Sequence, residues 1–192
     1  KQKTAYEMLR SLVGSEMCIR DRYIMDQMAS DFLSNNLEMT IVGLRFFNVY
    51  GPREFFKAKT SSMIIQLGHQ ILSKTRPKLF EFSDQILRDF IYIDDVIQAN
   101  IKACEPKKNG VYNIGTGISR SFQDIADKLQ DELGTNLETE YFTNPFEGYQ
   151  MHTQADISLT EKNLDFEPVF SLEAGIKAYI PEIIRLHGAD FS

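Results

Sequence analysis

Apolar positions along the chain alternate between a helical and a strand period. Residues 23–36 place Ile24, Met25, Met28, Phe32 and Leu33 at helical spacing and end on two asparagines, which predicts an amphipathic helix. Residues 39–47 (MTIVGLRFF) form a near-continuous run of branched and aromatic side chains, as in a strand buried on both faces of a parallel sheet. Residues 48–53 (NVYGPR) carry turn chemistry and are expected to end that strand. Thr60 or Ser61 is placed to cap a helix through Met63, Ile64, Leu67, Ile71 and Leu72. Two short strands are expected at 78–82 and 88–93, and then Asp94 as the cap of a helix through Val96, Ile97, Ala99, Ile101 and Ala103. A strand at 110–115 leads into a helix at 121–133 with Phe122, Ile125, Ala126 and Leu129 inward. Residues 137–142 read as another strand, and 171–186 as a final amphipathic helix that Pro181 shortens or kinks. Strands alternating with helices define an α/β class, with no internal repeat, low-complexity tract or flexible linker.

Composition narrows the picture. With 192 residues, 43% hydrophobic and 25% charged, the chain can build one globular core or a large domain with a small appendage. No apolar run approaches the roughly 18 residues of a membrane span and no secretory pattern opens the chain, so a soluble, cytoplasmic protein without a membrane partner is expected. Cys18 and Cys104 lie far apart without metal-ligand spacing, and neither a disulfide framework nor a metal site is expected. A net charge of −6 argues against a nucleic-acid partner. Between Arg45 and Arg88, however, eight Lys or Arg outnumber three acids. That stretch either meets a small anion such as a diphosphate or is a solvated basic surface. The Gly-x-Gly-x-x-Gly spacing of a dinucleotide-binding turn is absent, and Gly115-Thr116-Gly117 follows a late strand without a third glycine. Taken alone, the sequence describes an incomplete nucleotide-binding protein.

Residues 44–53 (LRFFNVYGPR) resemble the strand and loop after the catalytic helix in sugar-nucleotide epimerases and dehydratases of the extended short-chain dehydrogenase type. Residues 88–96 (RDFIYIDDV) resemble that family's Arg-Asp-aromatic block, and residues 111–117 (VYNIGTG) its returning strand. Within the family, residues 54–63 (EFFKAKTSSM), 78–83 (KLFEFS) and 150–156 (QMHTQAD) look like the ADP-heptose epimerase branch. The match runs from about Tyr23 to the C-terminus. The resemblance implies a dinucleotide fold followed by a smaller substrate domain. This chain would then hold the C-terminal portion of a Rossmann-type parallel sheet plus a small α/β substrate-binding domain, interleaved. It also implies an isomerase that interconverts ADP-D-glycero- and ADP-L-glycero-D-manno-heptose for lipopolysaccharide inner-core synthesis, through transient oxidation at C6″ by bound NADP and return of the hydride to the opposite face. The implied partner is the ADP-heptose sugar nucleotide, and the implied complete enzyme is a homo-oligomer.

Inverting one carbon requires proton transfer on both of its faces. The family's first base is the Tyr of Tyr-x-x-x-Lys, and its second matches Lys57, whose ammonium Lys59 and Arg53 would press toward neutrality. The same carry-over puts Val49 and Lys57 at the cofactor, Val49 against the nicotinamide, and Asn48 on the substrate. Lys59, Gln66, Phe80, Glu81, Ser83, Arg88 and Tyr149 would line the ADP-sugar site. Without the resemblance, Lys57 reads as a phosphate-contacting or solvent lysine. Arg88 reads either as a bidentate diphosphate ligand or as the ion-pair partner of Asp89 or Asp94, and Phe80 and Tyr149 read equally as core or ligand contacts.

The chain departs from the family where the helix at 23–36 begins. Aligning the family's apolar triplet and Asp on residues 23–26 (YIMD) puts the expected Tyr on Cys18 and the expected Lys on Arg22, and neither replacement can do the same work. Residues 16–22 (EMCIRDR) also resemble the translation of a transposase adaptor used in preparing sequencing libraries. Residues 1–22 are therefore expected to be foreign and 23–192 to be the C-terminal part of the epimerase, inactive by itself. Two other readings stay open: another sugar-nucleotide epimerase or dehydratase, and a non-catalytic sugar-nucleotide-binding protein.

Overall fold

The computed structural model describes residues 15–35, 40–105, 109–145 and 148–187, without the side chains of 15–20, 22, 33–35, 58 and 59. The elements run α1 (Ser15–Asn35), β1 (Val42–Phe46), β2 (Asn48–Tyr50), a 3-10 turn (Phe55–Thr60), α2 (Met63–Leu72), β3 (Lys78–Phe80) and β4 (Leu87–Tyr92). They continue as α3 (Ile93–Cys104), β5 (Gly110–Ile114), β6 (Ser119–Ser121), α4 (Phe122–Leu133), β7 (Glu140–Phe142), α5 (Ser158–Leu164) and α6 (Leu172–Leu186). Three small sheets result among the described residues. β1 lies parallel to β5 with Val42 opposite Gly110, β3 lies parallel to β7, and β4 pairs in parallel with β2 and antiparallel with β6.

Alternation along β4 organises the interior. Phe90 and Tyr92 point into a core with Tyr50, Ile64, Leu67, Leu129, Ile176 and Ile183, which packs α2, α4 and α6 on one face. Ile91 points the other way, into a core with Val96, Ala99, Tyr112, Ile114, Leu164 and Phe166. A strand whose successive side chains enter opposite cores must be apolar throughout, and residues 90–92 are. Close packing at this joint depends on a glycine: a Cβ on Gly175 of α6 would lie 2.0 Å from the Tyr50 hydroxyl oxygen. Buried carboxylates tie the loops down. Asp89, fully buried, accepts from the Thr116 N–H (2.8 Å) and hydroxyl (2.7 Å), the Gly117 N–H (2.9 Å) and the Ala155 N–H (3.0 Å). Asp95 accepts from the Val169 and Phe170 N–H groups at 3.0 Å each.

Several expectations need correction. The stretch 48–53 is not all turn, because Asn48–Tyr50 forms a strand whose backbone is paired with β4. β1 is shorter than 39–47 and half-buried rather than buried on both faces, since its one strand partner among the described residues is β5. The first helix starts at Ser15, and Tyr23, Ile24, Met25, Met28 and Phe32 are exposed rather than covered. The cap of α2 is Ser62, not Thr60 or Ser61. The Thr60 hydroxyl donates to the Lys57 carbonyl instead, 2.7 Å away. Tyr92 takes the cap position of α3, and Asp94 sits in its first turn. Pro181 lies inside α6, which continues through it to Leu186. The strand β6 and the helix α5 have no counterpart in the sequence reading. No helix among the described residues is long and apolar enough to cross a membrane. No group of three or more His, Cys, Asp or Glu among them is placed to hold a metal ion.

Candidate active site

Two cavities collect most of the residues singled out in the sequence. The first, about 260 Å³, is walled by α2, β3, the start of α4 and β7. Gln66, Phe80, Ser83 and Tyr149 line it, together with Met63, Phe122 and Phe142. Phe80 meets Phe142 at 4.9 Å and Tyr149 at 5.6 Å, both edge to face, so the wall consists of aromatic surfaces suited to a flat ring. Phe80 and Tyr149 therefore flank a cavity and are half-buried, not core.

Arg88 stands behind that wall. Its guanidinium lies 5.1 Å from the Tyr149 ring centre and 5.9 Å from that of Phe122. It donates to the Leu87 carbonyl at 2.8 Å and to the Gln150 carbonyl. The ion pair with Asp89 or Asp94 weighed above does not form: Asp89 is taken up by backbone N–H groups and Thr116, and no ion pair of the described residues includes Arg88. Stacking on two rings and bonding to two carbonyls hold this buried guanidinium beside the first cavity, with two of its five N–H groups engaged. Ser83 is buried, and its hydroxyl reaches the Gln123 amide oxygen at 3.5 Å. Gln66 donates to the Ser61 carbonyl at 2.7 Å. Glu81 is exposed and accepts from the Thr143 hydroxyl at 3.1 Å.

The second cavity, about 330 Å³, brings Val49 and Lys57 together. Val49, Ile93 and Ile97 give it an apolar side, and Gly51, Arg53, Glu54 and Lys57 a polar one. Lys57 is exposed, and its N–H bonds to the Glu54 carbonyl at 2.9 Å. Asn48 leaves this wall to donate to the Asp89 carbonyl at 2.9 Å. Lys59 belongs to the 3-10 turn, but its side chain lies outside those described, as do the side chains of Cys18 and Arg22 in α1.

One lining residue of the second cavity and one buried phenol near it escaped the sequence reading. Glu54 is buried on the polar wall, and the fully buried Tyr179 phenol of α6 lies near its charge. Burial first, then that carboxylate, hold the phenol above its ordinary pKa, although no acceptor stands in hydrogen-bonding geometry to it. Nothing in the run EFFK marks its acid as buried.

One cavity of this α/β chain thus has an aromatic wall with Arg88 behind it, and the other an apolar side opposite the side that carries Lys57. The chain belongs to the NAD dependent epimerase/dehydratase family, whose model matches residues 8–115. It is 40% identical over 161 residues to an ADP-L-glycero-D-manno-heptose-6-epimerase of Brachyspira hyodysenteriae, covering 82% of this chain and 50% of that protein. The crystal structure of the Helicobacter pylori ADP-L-glycero-D-manno-heptose-6-epimerase superposes with a TM-score of 0.75 at 48% identity, over 83% of this chain and 48% of that one. The Thermotoga maritima UDP-glucose 4-epimerase, solved with UDP-glucose, gives a TM-score of 0.73 at 30% identity, over 82% and 50%. The chain thus spans about half the length of the relatives it matches.

Proposed function

We propose that residues 23–192 are the C-terminal part of an ADP-L-glycero-D-manno-heptose 6-epimerase, with ADP-heptose as substrate, NADP as cofactor, a cytoplasmic site of action and a homo-oligomeric complete enzyme. The observation that carries this reading is that Val49 and Lys57 line one cavity. The aromatic cavity beside Arg88 and the relatives' names add support. The apolar side of Val49, Ile93 and Ile97 fits the nicotinamide end of such a cofactor, which when bound would take up and return the hydride. The rest of the chemistry belongs to this chain's side chains. Arg88 offers its remaining N–H groups to the diphosphate, Phe80 and Tyr149 offer ring faces to the base, and Lys57 moves the proton on one face of C6″.

Replacing Lys57 in the full-length enzyme separates a base from a phosphate contact. Lys57→Met should lower kcat on the order of 10²–10⁴-fold with KM little changed, whereas loss of a phosphate contact would mainly raise KM. Near-normal turnover at saturating substrate would remove the catalytic role and leave Lys57 a binding residue.

A second reading concerns the chain as it stands, with Cys18 and Arg22 at the positions of the family's Tyr and Lys. A non-catalytic sugar-nucleotide-binding protein would present the same replacements. We hold instead that residues 1–22 are foreign, on the resemblance of residues 16–22 to an adaptor, even though the family match opens at residue 8. Reading the genomic locus distinguishes the two: an upstream frame with Gly-x-Gly-x-x-Gly and Tyr-x-x-x-Lys supports truncation.

A further inference from the structure

The loop that carries Lys57 is closed by one buried carboxylate. Glu54 is 5% exposed, and no ion pair of the described residues reaches it. One carboxylate oxygen accepts from the Ser62 N–H at 2.6 Å, and the other from the Ser62 hydroxyl at 2.7 Å and the Gly51 N–H at 3.5 Å. A carboxylate buried without a cation persists when such donors replace its water. Its charge also lies at the N-terminus of α2, whose unpaired N–H groups favour an anion.

These bonds fix both ends of the segment 51–62. At one end lies Gly51, with a φ of 138° and no room for a side chain, since a Cβ would come within 2.5 Å of Ile93. At the other lies the cap of α2. In between, Arg53 adopts a left-handed φ of 74°, a conformation that costs a non-glycine residue energy and is held by its surroundings. The Lys57 N–H then bonds to the carbonyl of Glu54 itself. Side chain and main chain of a single residue therefore hold the stretch of backbone that carries Lys57 at the cavity Val49 also lines.

We propose that Glu54 is the positioning residue for Lys57, acting through the closure of the 51–62 loop and not by touching substrate. The proposal rests on the reading of Lys57 as the base. Glu54→Gln keeps the shape of the side chain but sets an amide where two backbone N–H groups expect acceptors. In the full-length enzyme it should lower kcat about 10–100-fold while the KM for ADP-heptose stays within about twofold. Combined with Lys57→Met it should add nothing to the loss caused by Lys57→Met alone, because both changes remove the same event. Ser62→Ala, which deletes one donor and leaves the carboxylate, should give the same effect in smaller degree and serves if Glu54→Gln does not fold. Amide hydrogen exchange supplies the readout that needs no activity: the Ser62 and Lys57 N–H groups should exchange at least about tenfold faster in Glu54→Gln, with those of β4 unchanged. Unchanged exchange at Ser62 and Lys57 overturns the closure whatever the enzyme does. Faster exchange with kcat intact, while Lys57→Met is dead, overturns positioning. Faster exchange together with a fully active Lys57→Met enzyme overturns the base reading and, with it, the positioning role, leaving the closure as structure.

Discussion

At the scale of single residues, Asp89 and Glu54 both hold loops by accepting from backbone N–H and hydroxyl groups. Asp89 follows Arg88 and reads as its partner; it is instead the acceptor for four donors on two segments, the farther 66 residues away. Asp89→Asn keeps the volume but turns an amide group toward N–H donors, so two of those donors lose their acceptor. A loss of about 2–4 kcal/mol is expected, read as a lower denaturant midpoint. A midpoint unchanged within error would mean that the Thr116–Gly117 turn is held by something else. Lys57, Arg88 and the cavity aromatics could be singled out because they stand in runs that resemble those of the family, whatever their burial. Glu54 and Asp89 were not, because burial of an acid is decided by where its donors come from. Those donors, Ser62 for one and Ala155 for the other, are not its neighbours in the chain.

Elements were legible where period and burial agree. The helix at 121–133 is an example: Ile125, Ala126 and Leu129 are fully buried, and Ser121 with Asp124 forms the reciprocal cap that the residue types suggest. Short strands were lost or misplaced, as at Asn48–Tyr50 and Ser119–Ser121, because three residues carry no period and the backbone of β4 selects them. The α2–α6 joint makes a pH-dependent prediction. His69 in the last turn of α2 stacks on His187 at the end of α6, ring centres 5.7 Å apart. Burial first, then the second imidazole, hold the His69 pKa below its unfolded value of 6.5. The folded protein therefore binds fewer protons than the unfolded one just below that pH. Stability contributed here is complete above about pH 6.5 and is lost as the pH falls through the folded value. Thermal melting should shift downward between pH 7 and pH 5.5, and His69→Gln should shrink that shift. An equal shift in both proteins would place the titration elsewhere.

At the scale of the whole molecule, the sequence contains no Gly-x-Gly-x-x-Gly turn and spans about half the length of the relatives it matches. Expressed alone, it should bind no NADP measurably and epimerise nothing. Saturable quenching of NADPH fluorescence by the purified chain would contradict both expectations. The pairing of β1 with β5 has a further consequence, for synthesis. Ile41, at the head of β1, bonds to Asn109, 68 residues later. A ribosome adding roughly 5–20 residues per second needs about 3–14 s to cover that distance. For that interval an apolar strand has left the exit tunnel before its partner exists. A holdase chaperone that reads extended apolar stretches would have its binding window there, and it would close when Ile114 emerges.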